Sequence, residues 1–101
     1  MATNKMRPIH PGEIIREEYL APLEMTPHAL AIELRVPAPR INDIVRERRA
    51  VTPNTALRLA RYFGTTAQFW LNLQSSFDLK QVEGELGNRI KQEVRPLQKA
   101  A

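Results

Sequence analysis

The sequence predicts a single all-α domain of five helices. Its 101 residues are enough for one compact domain. Hydrophobic residues make up 43% and charged residues 26%, values typical of a folded globular chain. Signals for helix starts recur along the chain, and no segment alternates apolar and polar residues as a half-buried strand does. The pattern therefore favours helices, with room for short extended pieces only in the C-terminal tail.

The first two helices are predicted from their opening residues. The run His10-Pro11-Gly12-Glu13 opens a helix whose apolar part covers residues 14–20 and which we expect Ala21-Pro22 to end. Thr26-Pro27 opens the second helix, because Thr is a good N-cap and Pro fits the first helical position. Its buried stripe consists of Leu30, Ala31 and Leu34.

A third helix of about nine residues follows a turn at Arg35-Val36, with Ile41, Ile44 and Val45 at helical spacing. Thr52-Pro53 opens the fourth helix and Gly64 is expected to end it. The inward positions predicted for this helix are Ala56, Leu57, Leu59, Ala60 and Phe63.

Thr65 or Thr66 caps the fifth helix, which runs towards Leu79. We expect Gly84 and Gly87 to interrupt any helix beyond it. The predicted domain therefore covers residues 1–83, and residues 84–101 form a short, partly disordered C-terminal tail with at most weak helix.

The positive charge is concentrated in the middle of the chain. Residues 35–61 hold seven arginines and two acids, whereas residues 1–34 carry a net charge of −2 and residues 62–75 carry none. Arginine presents a planar fork of donors that suits phosphate and the guanine edge. The surplus indicates nucleic-acid binding, although a solvated helix face explains the charge alone equally well.

Several other classes of protein find little support. The chain has no cysteine, which excludes disulfides and thiolate chemistry and suits a reducing cytosol. No apolar run reaches a membrane span, so we expect a cytoplasmic protein with no membrane partner. His10 and His28 stand alone, so no metal and no cofactor are expected. Ser75 and Ser76 lack an adjacent base, and an enzyme is the least supported class.

The second and third helices together predict a helix-turn-helix over about residues 26–46, in which the third helix enters the major groove. Arg40 is placed to bond guanine and Asn42 to read adenine or bond a phosphate, while the arginines after the helix hold the backbone. The predicted DNA-binding residues are Thr26, His28, Pro37, Ala38, Pro39, Arg40, Asn42, Asp43, Arg46, Arg48, Arg49 and Thr52.

Six segments of the chain resemble one family. They are PIHPGEIIREE at residues 8–18, Leu30-Ala31, Val36-Pro37 with RINDI at 40–44, RRAVT at 48–52, TALRLARYFGT at 55–65 and FWLNLQ at 69–74. Together they resemble the HigA (VapI) antitoxins of the Xre/Cro-like helix-turn-helix class, over roughly residues 7–81. Three positions depart from that pattern: Arg35 and Glu47 stand where glycine is common, and Pro27 where many relatives have Gln.

The resemblance implies a bacterial, lambda-repressor-like DNA-binding domain. It further implies an antitoxin that neutralises a HigB-like toxin, a RelE-like mRNA ribonuclease. As a homodimer, the antitoxin would bind a palindromic operator in double-stranded DNA and repress its own operon, and it would lie at the nucleoid when bound. Two alternatives stay open: a stand-alone Xre-type repressor without a toxin, and an interaction module whose helix-turn-helix does not read DNA.

Two protein interfaces are predicted as well. Phe69 and Trp70 are adjacent and cannot share one helix face, so a dimer seam through the fifth helix is expected at Phe69, Trp70, Leu73 and Phe77. A basic ribonuclease needs an acidic inhibitor surface, and the first helix supplies Glu13, Glu17 and Glu18. The mixed-charge tail is the competing toxin surface.

Overall fold

The computed structural model describes residues 7–98, which form five helices in the predicted order. The first, α1, covers residues 11–23 in three continuous stretches: Pro11–Ile14, a wider π-helical turn over Ile15–Leu20, and Ala21–Leu23. It is followed by α2 (Pro27–Leu34), α3 (Ala38–Val45), α4 (Pro53–Phe63) and α5 (Ala67–Glu93). No strand occurs within residues 7–98, and the predicted all-α fold class is confirmed.

The start of α1 is capped by His10, as predicted. The Nδ1 atom of His10 accepts a hydrogen bond from the Gly12 N–H at 2.8 Å, and Pro11 occupies a position that needs no N–H donor. The imidazole is only 3% exposed, and its ring centroid lies 4.8 Å from that of Phe77 on α5, edge to face. The cap therefore also packs α1 against the last helix.

Gly12 allows α1 to touch the backbone of α3. A Cβ atom built on Gly12 would lie 1.8 Å from the carbonyl oxygen of Ile44, far inside any real contact distance. Arg16, one turn further along α1, donates a hydrogen bond to the carbonyl of Val45. The start of α1 is thus fixed against the C-terminal end of α3, where helix carbonyls need outside donors.

The prediction that Ala21-Pro22 ends α1 is wrong. The helix continues to Leu23, and Glu24 ends it with a φ of 53°. In the π-helical turn the N–H of Ala21 bonds to the carbonyl of Arg16, five residues back. The extra residue in this turn relieves the clash that a proline ring makes with a regular helix, so Pro22 is accommodated.

Caps of the middle helices follow the sequence signals. Thr26 accepts a hydrogen bond from the Ala29 N–H at 3.0 Å, whereas Thr52 makes no side-chain cap although Pro53 begins α4 as predicted. Gly64 ends α4 with a φ of 75°. Thr66, rather than Thr65, caps α5 by accepting from the Phe69 N–H at 3.0 Å.

Three helices end at a residue other than glycine that has a positive φ. Glu24, Arg35 and Glu47 have φ of 53°, 60° and 64°. Each of these ends is closed by the two backbone hydrogen bonds of a Schellman motif. A side chain in this conformation costs roughly 1 kcal/mol, which Arg35 and Glu47 incur at positions where related sequences often have glycine.

The core lies between all five helices. Its fully buried large side chains are Ile15, Leu30, Ile41, Ile44, Leu59 and Trp70. The indole N–H of Trp70 donates to the Thr65 hydroxyl at 2.7 Å, so the buried polar atom is satisfied. Leu57 is 64% exposed, and its predicted inward position is wrong, since it is turned by about 100° from the buried Ala56.

The expectation that Gly84 and Gly87 interrupt the helix is also wrong. Helix α5 continues through both glycines to Glu93, and the Arg89 guanidinium pairs with the Glu93 carboxylate at 2.9 Å in its last turn. A glycine costs a helix about 1 kcal/mol without blocking it. The boundary between residues 83 and 84 stays a prediction, and residues 99–101 of the tail lie outside the described residues.

We expect Gly12→Ala to lower the free energy of unfolding by about 3 kcal/mol, the upper part of the range for overpacking, because the new Cβ collides with the Ile44 carbonyl. Urea unfolding followed by circular dichroism measures the change. Gly84→Ala is the matched control: nothing lies within 4 Å of its new Cβ, so it should add up to about 1 kcal/mol. Wild-type stability in Gly12→Ala would contradict the close contact.

We expect the stability of the domain to fall as the pH drops below 6.5, in part through His10. Burial lowers the pKa of His10 below its ordinary 6.5, although the carboxylates of Glu47 and Asp78 oppose the shift. The unfolded chain then binds more protons than the folded one below that pH, so stability is full above 6.5 and is lost towards acid.

The variant His10→Asn isolates this contribution, because an Asn carbonyl can cap α1 without titrating. The stability difference between wild type and His10→Asn should shift in favour of the variant between pH 7.5 and 5. A difference that does not change with pH would contradict the lowered pKa.

Candidate nucleic-acid interface

Helices α2 and α3 form the predicted helix-turn-helix. Leu30 and Leu34 of α2 and Ile41 and Ile44 of α3 are all buried in the shared core, and Val36 in the turn is half-buried. The turn is closed by the Val36 N–H, which bonds to the Ala31 carbonyl at 3.1 Å. The two helices therefore behave as one rigid unit that carries the exposed face of α3.

The exposed face of α3 begins with small residues, followed by polar ones. Pro37 precedes the helix in an extended conformation and is exposed, as is Pro39. Ala38, Arg40, Asn42 and Asp43 are half-buried, and Arg46 is exposed at the end of the helix. Small residues at the start of a recognition helix permit close approach to base edges.

Three of the predicted residues meet in one surface depression. Arg40 from α3, Arg49 from the following loop and Thr52 before α4 line it together with Ala50, Asn54 and Thr55, around a volume of about 350 Å³. The hydroxyl of Thr52 makes no cap bond to α4. Two guanidinium groups and no carboxylate line the depression, which suits an anion such as a phosphate.

The loop over residues 46–52 is held at both ends. Its start is closed by the Arg48 N–H, which bonds to the Asp43 carbonyl at 2.8 Å. Its end is held by Gln74 of α5, whose side-chain oxygen accepts from the Val51 N–H at 2.8 Å and whose amide donates to Asp78 at 2.9 Å. The loop arginines are therefore presented from a fixed backbone.

Carboxylates near this face are occupied by ion pairs. The Asp43 carboxylate lies 3.7 Å from the Arg49 guanidinium, and Glu47 lies 3.5 Å from Arg16. Glu47, the acidic residue that follows α3, is thus paired with Arg16 of α1. Arg46 and Arg48 are exposed and form no ion pair within residues 7–98.

Thr26 and His28 lie at the start of α2, both exposed, and neither lines the depression. The Thr26 hydroxyl already accepts from the Ala29 N–H. Their role in DNA binding stays a prediction.

The predicted dimer seam needs one correction. Trp70 is fully buried in its own protomer, packed with Tyr19 and Phe63, and has no surface left for a second chain. Phe77 is half-buried against His10, and Leu73 is half-buried against the core. Phe69 is 39% exposed. Adjacent aromatic residues point in different directions, and the sequence pattern did not show which of them faces the core.

The three predicted acidic residues of α1 differ in their surroundings. Glu13 makes two hydrogen bonds of 2.8 Å to Arg7, which, together with the positive charge of Arg7, lower the pKa of its carboxyl group. Glu17 pairs with Arg16 at 3.0 Å but remains exposed, and Glu18 is exposed on the next position. The accessible acidic surface is therefore formed by Glu17 and Glu18.

Residues 7–98 contain no group of three or more His, Cys, Asp and Glu side chains close enough to hold a metal ion. Over the same residues, no helix is both long enough and apolar enough to cross a membrane.

Three functional contacts were not found from the sequence. Asn54 bridges two arginines of this face, Gln74 holds the loop, and Arg16 joins α1 to the end of α3. The bonds of Asn54 to Arg40, of Gln74 to Val51 and of Arg16 to Val45 span 14, 23 and 29 residues of chain. The bond of Asn54 to Arg58 spans four. The one local signal for such a contact is a polar residue at an inward helical position, and of the three residues Gln74 has it.

Comparison with known proteins gives consistent relatives. No family model matches the chain. It is 60% identical over 80 residues to Virulence-associated protein I of Dichelobacter nodosus, covering 79% of this chain and 74% of that protein. It is 33% identical over 100 residues to Antitoxin HigA-1 of Vibrio cholerae, covering 96% and 90%.

A solved structure, that of Pseudomonas aeruginosa antitoxin HigA with the higBA promoter, superimposes with a TM-score of 0.88 at 51% identity. The match covers 91% of this chain and 100% of that one. The fold, with its helix-turn-helix, is therefore shared with an antitoxin whose structure was solved with a promoter.

Proposed function

Because the chain belongs to the HigA (VapI) family of helix-turn-helix antitoxins, we propose that it is a dimeric antitoxin that represses its own operon by binding an operator and neutralises a HigB-like ribonuclease toxin. The proposed binding of DNA is supported by the depression that Arg40, Arg49 and Thr52 line beside the exposed face of α3. It acts by binding, and no step of the proposal needs covalent chemistry.

We propose different tasks for different residues of this face. Ala38, Pro39, Arg40 and Asn42 on α3 face the base edges, with Arg40 directed to guanine. Phosphates bind at the exposed loop arginines and at the side of the depression formed by Arg49 and Thr52. The loop is held before DNA arrives, so little ordering of the backbone accompanies binding.

We expect the purified protein to bind the DNA upstream of its own gene about 10³-fold more tightly than a shuffled duplex of equal length, with affinity that falls steeply with salt. Fluorescence anisotropy over a salt series measures both. Arg48→Ala should weaken binding to both duplexes and reduce the salt slope by about one. Arg89→Ala removes the same charge from α5 and serves as the control. Equal binding to both duplexes by the wild type would contradict sequence-specific binding.

A second copy of the chain is proposed to cover α5. Beyond the core this helix carries an apolar stripe of four exposed residues at spacings of three and four. They are Leu79, Val82, Leu86 and Ile90, with exposed fractions of 60%, 44%, 40% and 45%. Such a stripe is typical of a helix that packs on another helix. A two-fold dimer through this stripe matches the symmetry of a palindromic operator. Phe69, in the first turn of α5, is the one residue of the predicted seam that is exposed.

We expect Leu86→Glu to convert the dimer into a monomer, because each protomer would place a charge in the seam. Sedimentation equilibrium measures the change. Leu97→Glu makes the same substitution at a residue 87% exposed beyond the helix, and it should stay dimeric. A wild type that is monomeric at micromolar concentration, or a dimeric Leu86→Glu, would contradict this interface.

The toxin is proposed to bind the acidic face of α1. Glu17 and Glu18 are exposed and lie on a helix whose other end is packed against α3. A basic ribonuclease complements this charge. The face is formed by residues that do not line the depression, so toxin and DNA have separate surfaces on one protomer.

We expect the chain to co-purify with the product of the adjacent gene and to suppress its ribonuclease activity. Glu17→Lys/Glu18→Lys should weaken this complex tenfold or more by isothermal titration calorimetry. Glu85→Lys/Glu93→Lys changes the charge of the tail by the same amount and tests the competing tail surface. If only the α5 variant loses toxin binding, the toxin site lies on the tail and not on α1. If the wild type forms no complex, the chain is a stand-alone repressor.

A further inference from the structure

A hydrogen-bonded chain of three side chains joins α2, α3 and α4 at one side of the depression. Asn54, in the first turn of α4, accepts at its Oδ1 from Arg58 Nε at 2.9 Å and from Arg40 Nη1 at 3.4 Å. Arg58 also donates from Nη1 to the Leu34 carbonyl at 2.8 Å. The chain therefore runs from the end of α2 to the guanidinium that faces DNA.

Arg58 is the fixed end of this chain. It is half-buried, and the carbonyl of Leu34 stands in the last turn of α2, where the helix itself supplies no donor. One guanidinium satisfies that carbonyl and Asn54 together. Asn54 is held by two features at once, its place in the first turn of α4 and its bond to Arg58.

Asn54 restrains Arg40 without neutralising it. The amide oxygen is uncharged, and the residues that line the depression include no carboxylate. A guanidinium has five N–H donors, and the bond to Asn54 engages one nitrogen, so donors remain for a bidentate contact to guanine. A long side chain that is already oriented loses less rotamer freedom when it binds.

We propose that Asn54 is a positioning residue for specificity: anchored by Arg58, it orients Arg40 towards the base that Arg40 reads. This inference rests on the proposed operator binding. It assigns Asn54 no direct contact with a base. Its effect on DNA binding passes through Arg40.

A double-mutant cycle tests the proposal. The base pair that Arg40 reads is the one at which Arg40→Ala loses discrimination. Affinities are measured for the upstream duplex and for the same duplex with this base pair substituted, and their ratio is the discrimination. Asn54→Ala should lower the ratio of the two affinities about tenfold, equal to about 1.4 kcal/mol, with the melting temperature and salt slope unchanged. In the Arg40→Ala background the same substitution should change the ratio less than twofold.

Two further variants sharpen the test. Asn54→Asp keeps the bond to Arg40 but adds a negative charge, so affinity should fall for both duplexes and the salt slope should decrease by about one. Asn72→Ala is the matched control, since Asn72 is an exposed residue of α5 whose amide oxygen accepts from Gln68 at 2.9 Å. It should bind both duplexes as the wild type does.

Three results would overturn the inference. If Arg40→Ala loses discrimination but Asn54→Ala keeps it, the positioning role is wrong and the proposed operator binding stands. If Asn54→Ala has the same effect with and without Arg40, Asn54 acts independently of it. If Arg40→Ala itself discriminates as the wild type does, the proposed reading by Arg40 fails together with the role of Asn54.

Discussion

The close contact between Gly12 of α1 and the carbonyl of Ile44 governs how α3 is placed in the fold. It lets the start of α1 lie directly against the end of α3, where Arg16 then bonds to the carbonyl of Val45. His10 caps the same helix end and packs on Phe77 of α5. The Gly12 contact thus sets α3 relative to α1, and the His10 ring sets the start of α1 relative to α5. Any side chain at residue 12 would separate α1 from α3.

The face proposed for DNA is held in place before binding by contacts at both ends of the loop after α3. Arg16 pairs with Glu47, which ends α3 in a left-handed conformation, and Gln74 holds the other end of the loop at Val51. The acid in this loop is therefore turned towards α1. The loop arginines project from a backbone that is bonded on both sides, which reduces the entropy that binding must overcome.

Features that depend on nearby residues could be predicted from the sequence, and those that depend on distant packing could not. The caps at His10 and Thr26 and the end of α4 at Gly64 are local, and all three are confirmed. The passage of α1 through Pro22 needed a π-helical turn, for which no residue pattern is diagnostic. The continuation of α5 past Gly84 shows that two glycines weaken a helix without ending it.

Of the proposed sites, too, the sequence predicted the local features but not those that depend on how the helices pack. The arginine surplus in residues 35–61 indicated a basic face, and the structure brings Arg40 and Arg49 together in one depression. Burial of Trp70 is decided by three helices at once, so the choice between Phe69 and Trp70 could not be made from their spacing. The pairing of Asn54 with Arg58 is local to α4, but its bond to Arg40 forms only when α3 and α4 pack, so its place between two arginines could not be predicted.

In the proposed complex, α3 of each protomer enters the major groove of one half-site. Methylation protection of the upstream DNA by dimethyl sulfate measures it most directly, because the reagent attacks guanine N7 in the major groove and adenine N3 in the minor groove. Two patches of protected guanine N7, centred about 10 bp or a multiple apart, are the predicted result. Protection confined to adenine N3, or a single patch without a symmetric mate, would contradict it.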